Sequence, residues 1–553
     1  MPPYHIRYTA DGPPDCGLSY GGRVLEGLRK FQNSARPTQV DAHDGTAMTF
    51  RELLVQTVHA AEGWKAMGLR VGDVVALVSK NHHQVFPVTL GAVCAGLTVS
   101  CVVPTATKAE MQHAMSLSRP KVVVVEPARL ATAMEAAPGA RFVVLGGDPP
   151  AGVDSVSTHL QLLRRGETAE PPPDPDTYRA VDVGDRSKHV AFILFSSGTT
   201  GLPKGVQIRD SAMATVIDNI SDTAVGAAYS NCYRPDDKVM LISSPLCWIS
   251  GVWQLLYGCA HGLTRVFTRV VDDITVASTI DKYKVNSWMA APAVLIAFES
   301  AYNSKHRTRY DLSSLTGILV GGSPTSAEVQ TALERDLGCK VIQVYGATEA
   351  GLVFGPDGDR SSPPGSMGKL VPWVELRLVS ADTGEDIPAD TRHTVAEVRV
   401  RSPYLMHSYV NNAEETAKAH DELGFFKTGD LVYEDDDGYF FFVDRIKEMM
   451  KYKGNQIAPA ELEMLLLQHP GVREACVLGA QSGVDDLPTA FVARAPNEAG
   501  AAVTEDDLKA LVADKLSDYK QLRGGVIFLE HLPKTVTGKV ARRELKDKLR
   551  SLA

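Results

Sequence analysis

The stretch His189 to Gly205 reads HVAFILFSSGTTGLPKG and joins two opposite kinds of chemistry. His189 to Phe195 is dense in β-branched and aromatic residues, which predicts a buried strand. Ser196 to Gly205 has almost nothing that can pack. Gly198, Gly201 and Gly205 let the backbone take positive φ and approach a ligand closely. Ser196, Ser197, Thr199 and Thr200 add hydroxyl donors to the exposed N–H groups, and Lys204 adds a positive charge. Such a nest suits the β and γ phosphates of a nucleotide. It is not a Walker loop, because Pro203 precedes Lys204 and Gly205, not Ser or Thr, follows it. A flexible linker of small polar residues is the plainer alternative, but linkers seldom open from a core strand or end in Pro-Lys-Gly.

Working outward from this loop, helical patterns and β-branched runs alternate. The helical patterns cover Thr49–Met67, Val85–Ala95 and Lys108–Ser118; the strand patterns cover Val74–Val78, Leu97–Val103, Lys121–Val125 and Phe142–Leu145. That rhythm predicts a mostly parallel sheet flanked by helices. The Pro-rich run Glu170–Asp176 (EPPPDPD) reads as an exposed connector. Strand patterns resume at Lys238–Ser243, Arg265–Phe267, Ser287–Ala290, Gly317–Val320 and Val341–Val344. From about Val371 shorter alternating strands appear (Val374–Val379, Ala396–Arg401), with a hairpin turn at Asp437-Gly438. After Arg445 a compact segment mixes helix (Pro459–His469, Glu505–Leu516, Arg542–Leu549) with strand (Ala475–Gly479, Thr489–Arg494, Gly525–Phe528). No internal repeat is visible.

Bulk properties narrow the field. A chain of 553 residues with 44% hydrophobic and 22% charged content is an ordinary globular protein of several domain-sized units. A net charge of -9 argues against a broad nucleic-acid or anionic-membrane surface. The eight cysteines form no CxxC pair, so neither a disulfide framework nor a zinc site is expected. Tyr4 to Pro14 is mixed and polar, unlike a signal segment. The uncharged stretch Gln84–Pro104 contains Pro87, Gly91 and Gly96 and predicts a buried helix-to-strand element, not a membrane span.

Other runs carry candidate chemistry. Gln343-Val344-Tyr345-Gly346-Ala347-Thr348-Glu349 ends a strand in a turn bearing an aromatic ring, a hydroxyl and a carboxylate. At the carboxyl end of a parallel strand it can stack a base on Tyr345 and hold Mg²⁺ with Glu349. Read alone, it is equally a strand end with a solvated glutamate. Gly321-Gly322-Ser323-Pro324 permits close approach to a flat ligand, although a plain β-to-α turn explains it as well. In Lys427-Thr428-Gly429-Asp430 the aspartate can accept hydrogen bonds from ribose hydroxyls. Val443-Asp444-Arg445-Ile446-Lys447 falls where the chain texture changes, as a hinge would. Pro533-Lys534-Thr535-Val536-Thr537-Gly538-Lys539 presents Lys539 as a point charge on a turn.

Together and in this order, SSGTTGLPKG, YGATEAG, KTGD, VDRIK, KYKGNQIAPAELE and PKTVTGK resemble the successive core motifs of the adenylate-forming superfamily: acyl-CoA synthetases, 4-coumarate-CoA ligases and beetle luciferases. The resemblance implies an α/β fold. A large N-terminal domain, residues 1–445, would stack mostly parallel, helix-flanked sheets with a distorted β-barrel. A small mobile α+β domain, residues 446–553, would follow, with its hinge at Lys447. ATP, Mg²⁺ and coenzyme A are the implied cofactors and co-substrates. Ser196, Ser197, Gly198, Thr199, Thr200, Gly201 and Lys204 would hold the phosphates. Gly321, Gly322 and Tyr345 would sandwich adenine, Gln343 and Gly346 would also contact the nucleotide, and Asp430 and Arg445 would bind ribose. Thr348 would serve the α-phosphate, while Glu349 and Thr200 would ligate Mg²⁺. Lys539 would reach both the incoming carboxylate and the α-phosphate, with Lys204 assisting. Lys451, Lys453 and Gly454 would serve the later transfer to coenzyme A.

The resemblance also implies a small-molecule carboxylic acid substrate in a pocket lined by Trp248, Gly346 and Ala347. Pro245-Leu246-Cys247-Trp248 stands where some members carry a Pro-x-Phe-His run, so an apolar wall replaces a titratable histidine, and a fatty or aromatic acid is expected. Trp248 as a plain core residue is the structural alternative. The run also lacks the aspartate with which peptide-synthetase adenylation domains hold an amino group. The leading expectation is therefore an AMP-forming acid-CoA ligase; a luciferase-like monooxygenase and a non-catalytic nucleotide-binding relative are the alternatives. Ser551-Leu552-Ala553 lacks the lysine of a Ser-Lys-Leu address, so cytosol is expected and peroxisome stays open.

Overall fold

The computed structural model describes residues 17–147, 155–196, 203–215, 238–303, 307–357, 362–453, 455–482, 485–535 and 539–552. Two large sheets dominate. The first has eight strands in the order Ser408–Tyr409, Lys204–Arg209, Val190–Ser196, Thr98–Cys101, Val74–Val78, Val122–Val125, Arg141–Val144 and Val156–Thr158. All neighbours run parallel except the Lys204–Arg209 strand, which is antiparallel to both of its partners. The second has seven strands in the order Lys340–Gln343, Gly317–Val320, Ser287–Ala290, Val239–Ile242, Thr264–Phe267, Pro37–Asp41 and Ala47–Thr49, parallel except for the last pair.

Helices and strands start where local chemistry tells them to. Thr49 and Thr107 each form a capping box with Glu52 and Glu110, which begins the helices Phe50–Ala66 and Lys108–Ser118. The helix Val85–Cys94 is buried at every residue and runs into the fully buried strand Thr98–Cys101, so the uncharged stretch around it is core. Among the described residues no helix is long and apolar enough to cross a membrane. Helices pack through glycine: a Cβ on Gly166 would lie 1.7 Å from the His59 carbonyl oxygen, and one on Gly63 would lie 2.2 Å from that of Leu162. The connector 170–176 is mostly exposed, as expected, but it is pinned. Arg29 donates to the Pro175 carbonyl at 3.0 and 3.1 Å, and Arg51 pairs with Asp176 at 2.5 Å.

The expected barrel does not close. Among the described residues, Tyr345–Ala347, Gly351–Gly355 and Lys369–Leu370 make one open antiparallel sheet, and Glu375–Val379, Ala396–Arg401, Phe426–Glu434 and Phe440–Arg445 make another. The two meet by side-chain stacking, Phe354 on Phe440 at 4.2 Å, and by backbone bonds from Met367 to Phe440 and from Phe440 to Gly368. That contact is too short to form a continuous ladder. The hairpin turn predicted at Asp437-Gly438 joins the last two strands.

The C-terminal part is a smaller α+β unit. A sheet of Val472–Ser482, Asp485–Arg494 and Gly525–Leu529 is covered by the helices Pro459–Leu466, Glu505–Lys515 and Arg542–Leu552. Its two apolar clusters contain only residues from Met450 onward, whereas the fully buried members of the clusters of the large part end at Phe440, with Phe442 packed against them.

Candidate functional site

Part of the predicted site lies at the carboxyl ends of parallel strands, the edge on which open α/β sheets bind ligands, whereas Asp430 and Arg445 are paired across an antiparallel sheet. Val320 and Gln343 are paired neighbours at the ends of adjacent strands, so the Gly321–Pro324 loop and Tyr345 leave the sheet side by side. Gly322 has φ +89, and a Cβ placed there would meet no atom within 4 Å, so this loop presents bare, open backbone. Gln343 is buried and fully engaged: its amide donates to Thr325 O and to Gln330, both at 3.0 Å, and accepts from Thr325 N. It therefore fixes the loop from beneath.

Asp430 is the centre of the described group. The strand Phe426–Glu434 carries it, Gly429 before it has φ +69, and Thr428 Oγ1 both donates to Val398 O and accepts from Asp430 N. Its carboxylate is 4% exposed. Oδ2 accepts from Tyr345 Oη at 2.6 Å, and Oδ1 lies 3.0 Å from Arg445 Nε. The guanidinium N–H is poorly aimed at that oxygen, so Oδ1 remains a buried acceptor without a hydrogen bond. A ligand hydroxyl would satisfy it. Burial, with Asp430 next in weight, pushes the Tyr345 phenol well above its usual range, so it stays a donor.

Thr348 and Glu349 occupy the turn between the strands Tyr345–Ala347 and Gly351–Gly355. Lys539 reaches this group from the far end of the chain. A Lys534–Val540 bridge and a Thr535 N to Lys539 O bond of 2.7 Å make the hairpin that presents it. Lys539 is exposed. Desolvation lowers its pKa and Arg445 adds repulsion, while Asp430 and Glu349 pull the other way.

Ser197 to Gly201, Gly454 and residues 536–538 lie outside the described residues. The two ends of that segment meet, with Ser196 paired to Lys204 across an antiparallel register. Lys204 forms an ion pair with Glu415, and its ammonium lies 4.9 Å from the Tyr409 ring centroid. Tyr409 Oη donates to Glu349 Oε1 at 3.2 Å, and Met406 N donates to the Glu349 carbonyl at 2.8 Å. The segment 406–415 thus ties the phosphate loop to the Glu349 turn. Sequence reading missed Tyr409 and Glu415; the available signal was a strand followed by the helix cap Asn412, bonded to Glu415 N.

Trp248 is half-buried at the start of the helix Ile249–His261, after a strand of the seven-stranded sheet. Burial pushes the neighbouring Cys247 thiol up to about 12, so that wall stays neutral. Lys451 and Lys453 sit on the hairpin Met450–Tyr452/Asn455–Ile457. Asp486 and Asp485 accept from their backbone N–H groups, and Gln456 donates to Asp382, none of these partners belonging to the Asp430 group. Lys447 lies exposed in the turn after Arg445.

Comparison with known proteins agrees with this geometry. The chain matches the AMP-binding enzyme family over residues 29–410 and the AMP-binding enzyme C-terminal domain over residues 461–539. It is 32% identical to luciferin 4-monooxygenase of Photinus pyralis, covering 92% of this chain and 90% of that protein. It is 31% identical to 4-coumarate-CoA ligase 1 of Narcissus pseudonarcissus, covering 94% and 92%. Among solved structures it is similar to the anthranilate CoA ligase AuaEII in complex with anthranoyl-AMP, with TM-score 0.82, 24% identity and coverage of 100% and 98%. Motifs, fold and site lead to one conclusion: the chain belongs to the AMP-binding, adenylate-forming enzyme family.

Proposed function

We propose that this protein is an AMP-forming acid-CoA ligase acting on a fatty or aromatic carboxylic acid. What supports the reading is that Lys539, on a hairpin of the C-terminal unit tied by the Thr535 N to Lys539 O bond, lies within electrostatic reach of Asp430, Arg445 and Glu349. Attack of a carboxylate on the α-phosphate of ATP sets anion against anion, so a cation that binds more strongly in the transition state lowers the barrier. Lys539 would supply that charge, and Thr348 would donate to the same phosphate. Asp430, with its unmet Oδ1, fits a ribose hydroxyl, and the open Gly322 face with Tyr345 fits a purine. Glu349 is a hard oxygen donor suited to Mg²⁺, which would neutralise phosphate charge when bound. Lys204 would exchange Glu415 for the departing pyrophosphate.

The second step would pass the acyl group from its adenylate to the coenzyme A thiolate, with AMP as leaving group. We assign residues 446–553 as the moving unit, with Lys447 as hinge and the Lys451–Gly454 hairpin as the element exchanged for Lys539. The neutral Cys247 and Trp248 wall supports an apolar acyl group.

A pyrophosphate-release screen over short, medium and long fatty acids, cinnamates and luciferin tests the proposal. Release with a fatty acid or cinnamate, together with coenzyme A consumption, is expected. Light or CO₂ from luciferin without thioester would establish the monooxygenase reading, and no release with any acid would leave a nucleotide-binding relative.

A further inference from the structure

The Lys539 hairpin is not carried by its own turn alone. Three residues on, Arg542 opens the last helix. Its Nη2 donates to Glu463 Oε1 at 2.6 Å and its Nη1 to the Val477 carbonyl at 3.0 Å. The same Glu463 oxygen accepts from Val477 N at 2.7 Å. This carboxylate, guanidinium and strand carbonyl lock the hairpin to the helix Pro459–Leu466. That helix is in turn fixed to the large domain. Asp444 Oδ2 accepts from Ala460 N at 2.7 Å, in the first turn of the helix, and Asp444 is 3% exposed. Asp444 shares its strand with Arg445, the partner of Asp430. An unbroken path therefore runs from the ribose-site strand through Asp444, the helix, Glu463 and Arg542 to Lys539.

We propose that Glu463 and Arg542 are positioning residues for Lys539, holding its ammonium in register with Asp430 and Glu349 through the Asp444-capped helix. The inference rests on the adenylation reading above. In the rotated state of the C-terminal unit Asp444 and Ala460 would part, so the path would serve the first half-reaction only. A shift of about 1 Å in a reacting group costs on the order of 10²-fold in rate.

The test uses Arg542→Ala, Arg542→Lys and Glu463→Gln in the full chain, with Lys539→Ala alongside. Acid-dependent pyrophosphate exchange is measured with the most active acid of the screen, and thioester formation is measured from its synthetic adenylate. Arg542→Ala is expected to lose roughly 10- to 100-fold in exchange while thioester formation stays within about twofold. Arg542→Lys is expected to recover part of the loss. In nucleotide-free protein, labelling of Lys539 by acetic anhydride against pH, read by peptide mass spectrometry, is expected to shift toward ordinary lysine behaviour in Arg542→Ala. Equal loss of both half-reactions, or unchanged exchange and labelling, would overturn the proposal; if Arg542→Ala does not fold, Glu463→Gln carries the same criteria. If Lys539→Ala itself leaves exchange intact, it is the adenylation role of Lys539 that falls.

Discussion

Lys539 illustrates how one side chain takes its properties from groups distant in sequence. Desolvation and Arg445 favour loss of its proton, so the ammonium needed for chemistry disappears at lower pH than from a free lysine. Because kcat/KM reports the free enzyme, its alkaline limb for adenylation is predicted to have a midpoint below about 10.4, the ordinary lysine value. A limb at or above that value would contradict the assignment. Asp430, Tyr345 and Lys539 stand out in the sequence because each lies in a short run of turn-forming residues that offers one reactive group. Tyr409 and Glu415 do not. Tyr409 meets Glu349 across 60 residues and Glu415 meets Lys204 across 211, and only the tertiary fold brings them together. Gln343 was read as a nucleotide contact, yet its amide is spent on Thr325 and Gln330, a burial pattern that periodicity cannot show.

At the scale of elements, accuracy followed local signals. Lys108–Ser118 was bounded correctly by its Thr107 and Glu110 capping box. The strand expected over Ala475–Gly479 extends to Val472–Ser482, because a hairpin with Asp485–Arg494 pairs along nearly its whole length and so recruits polar ends that lack strand character. The helix begun at Pro459 ends at Leu466, short of His469, because the chain turns there and His469 accepts from Gly471 N. The close crossing of the helices Phe50–Ala66 and His159–Glu167 was invisible in sequence, since glycines read as breakers until their neighbours are known. Gly166→Ala places a methyl group against the His59 carbonyl and is predicted to destabilise the protein by about 1–3 kcal/mol in urea unfolding. An unchanged midpoint and slope would show that the two helices separate without penalty.

At the scale of the whole molecule, the chain brings two independently packed units to a single site, with the apolar clusters breaking between Phe442 and Met450. The change of strand texture after Arg445 predicts a division there, but not the conformation in which the two units meet. That depends on long-range contacts such as Asp444 with Ala460, which no local pattern encodes. With Lys539 at the Asp430 group and the Lys451–Lys453 hairpin held elsewhere, the structure has the arrangement we assign to adenylation. The most direct test is Lys539→Ala, assayed separately for pyrophosphate exchange with acid and for thioester formation from a synthetic acyl-adenylate. Loss of a cation aimed at transition-state charge is predicted to lower exchange by about 10²- to 10³-fold or more and to leave thioester formation near wild type. Equal loss in both half-reactions, or exchange retained, would contradict the account.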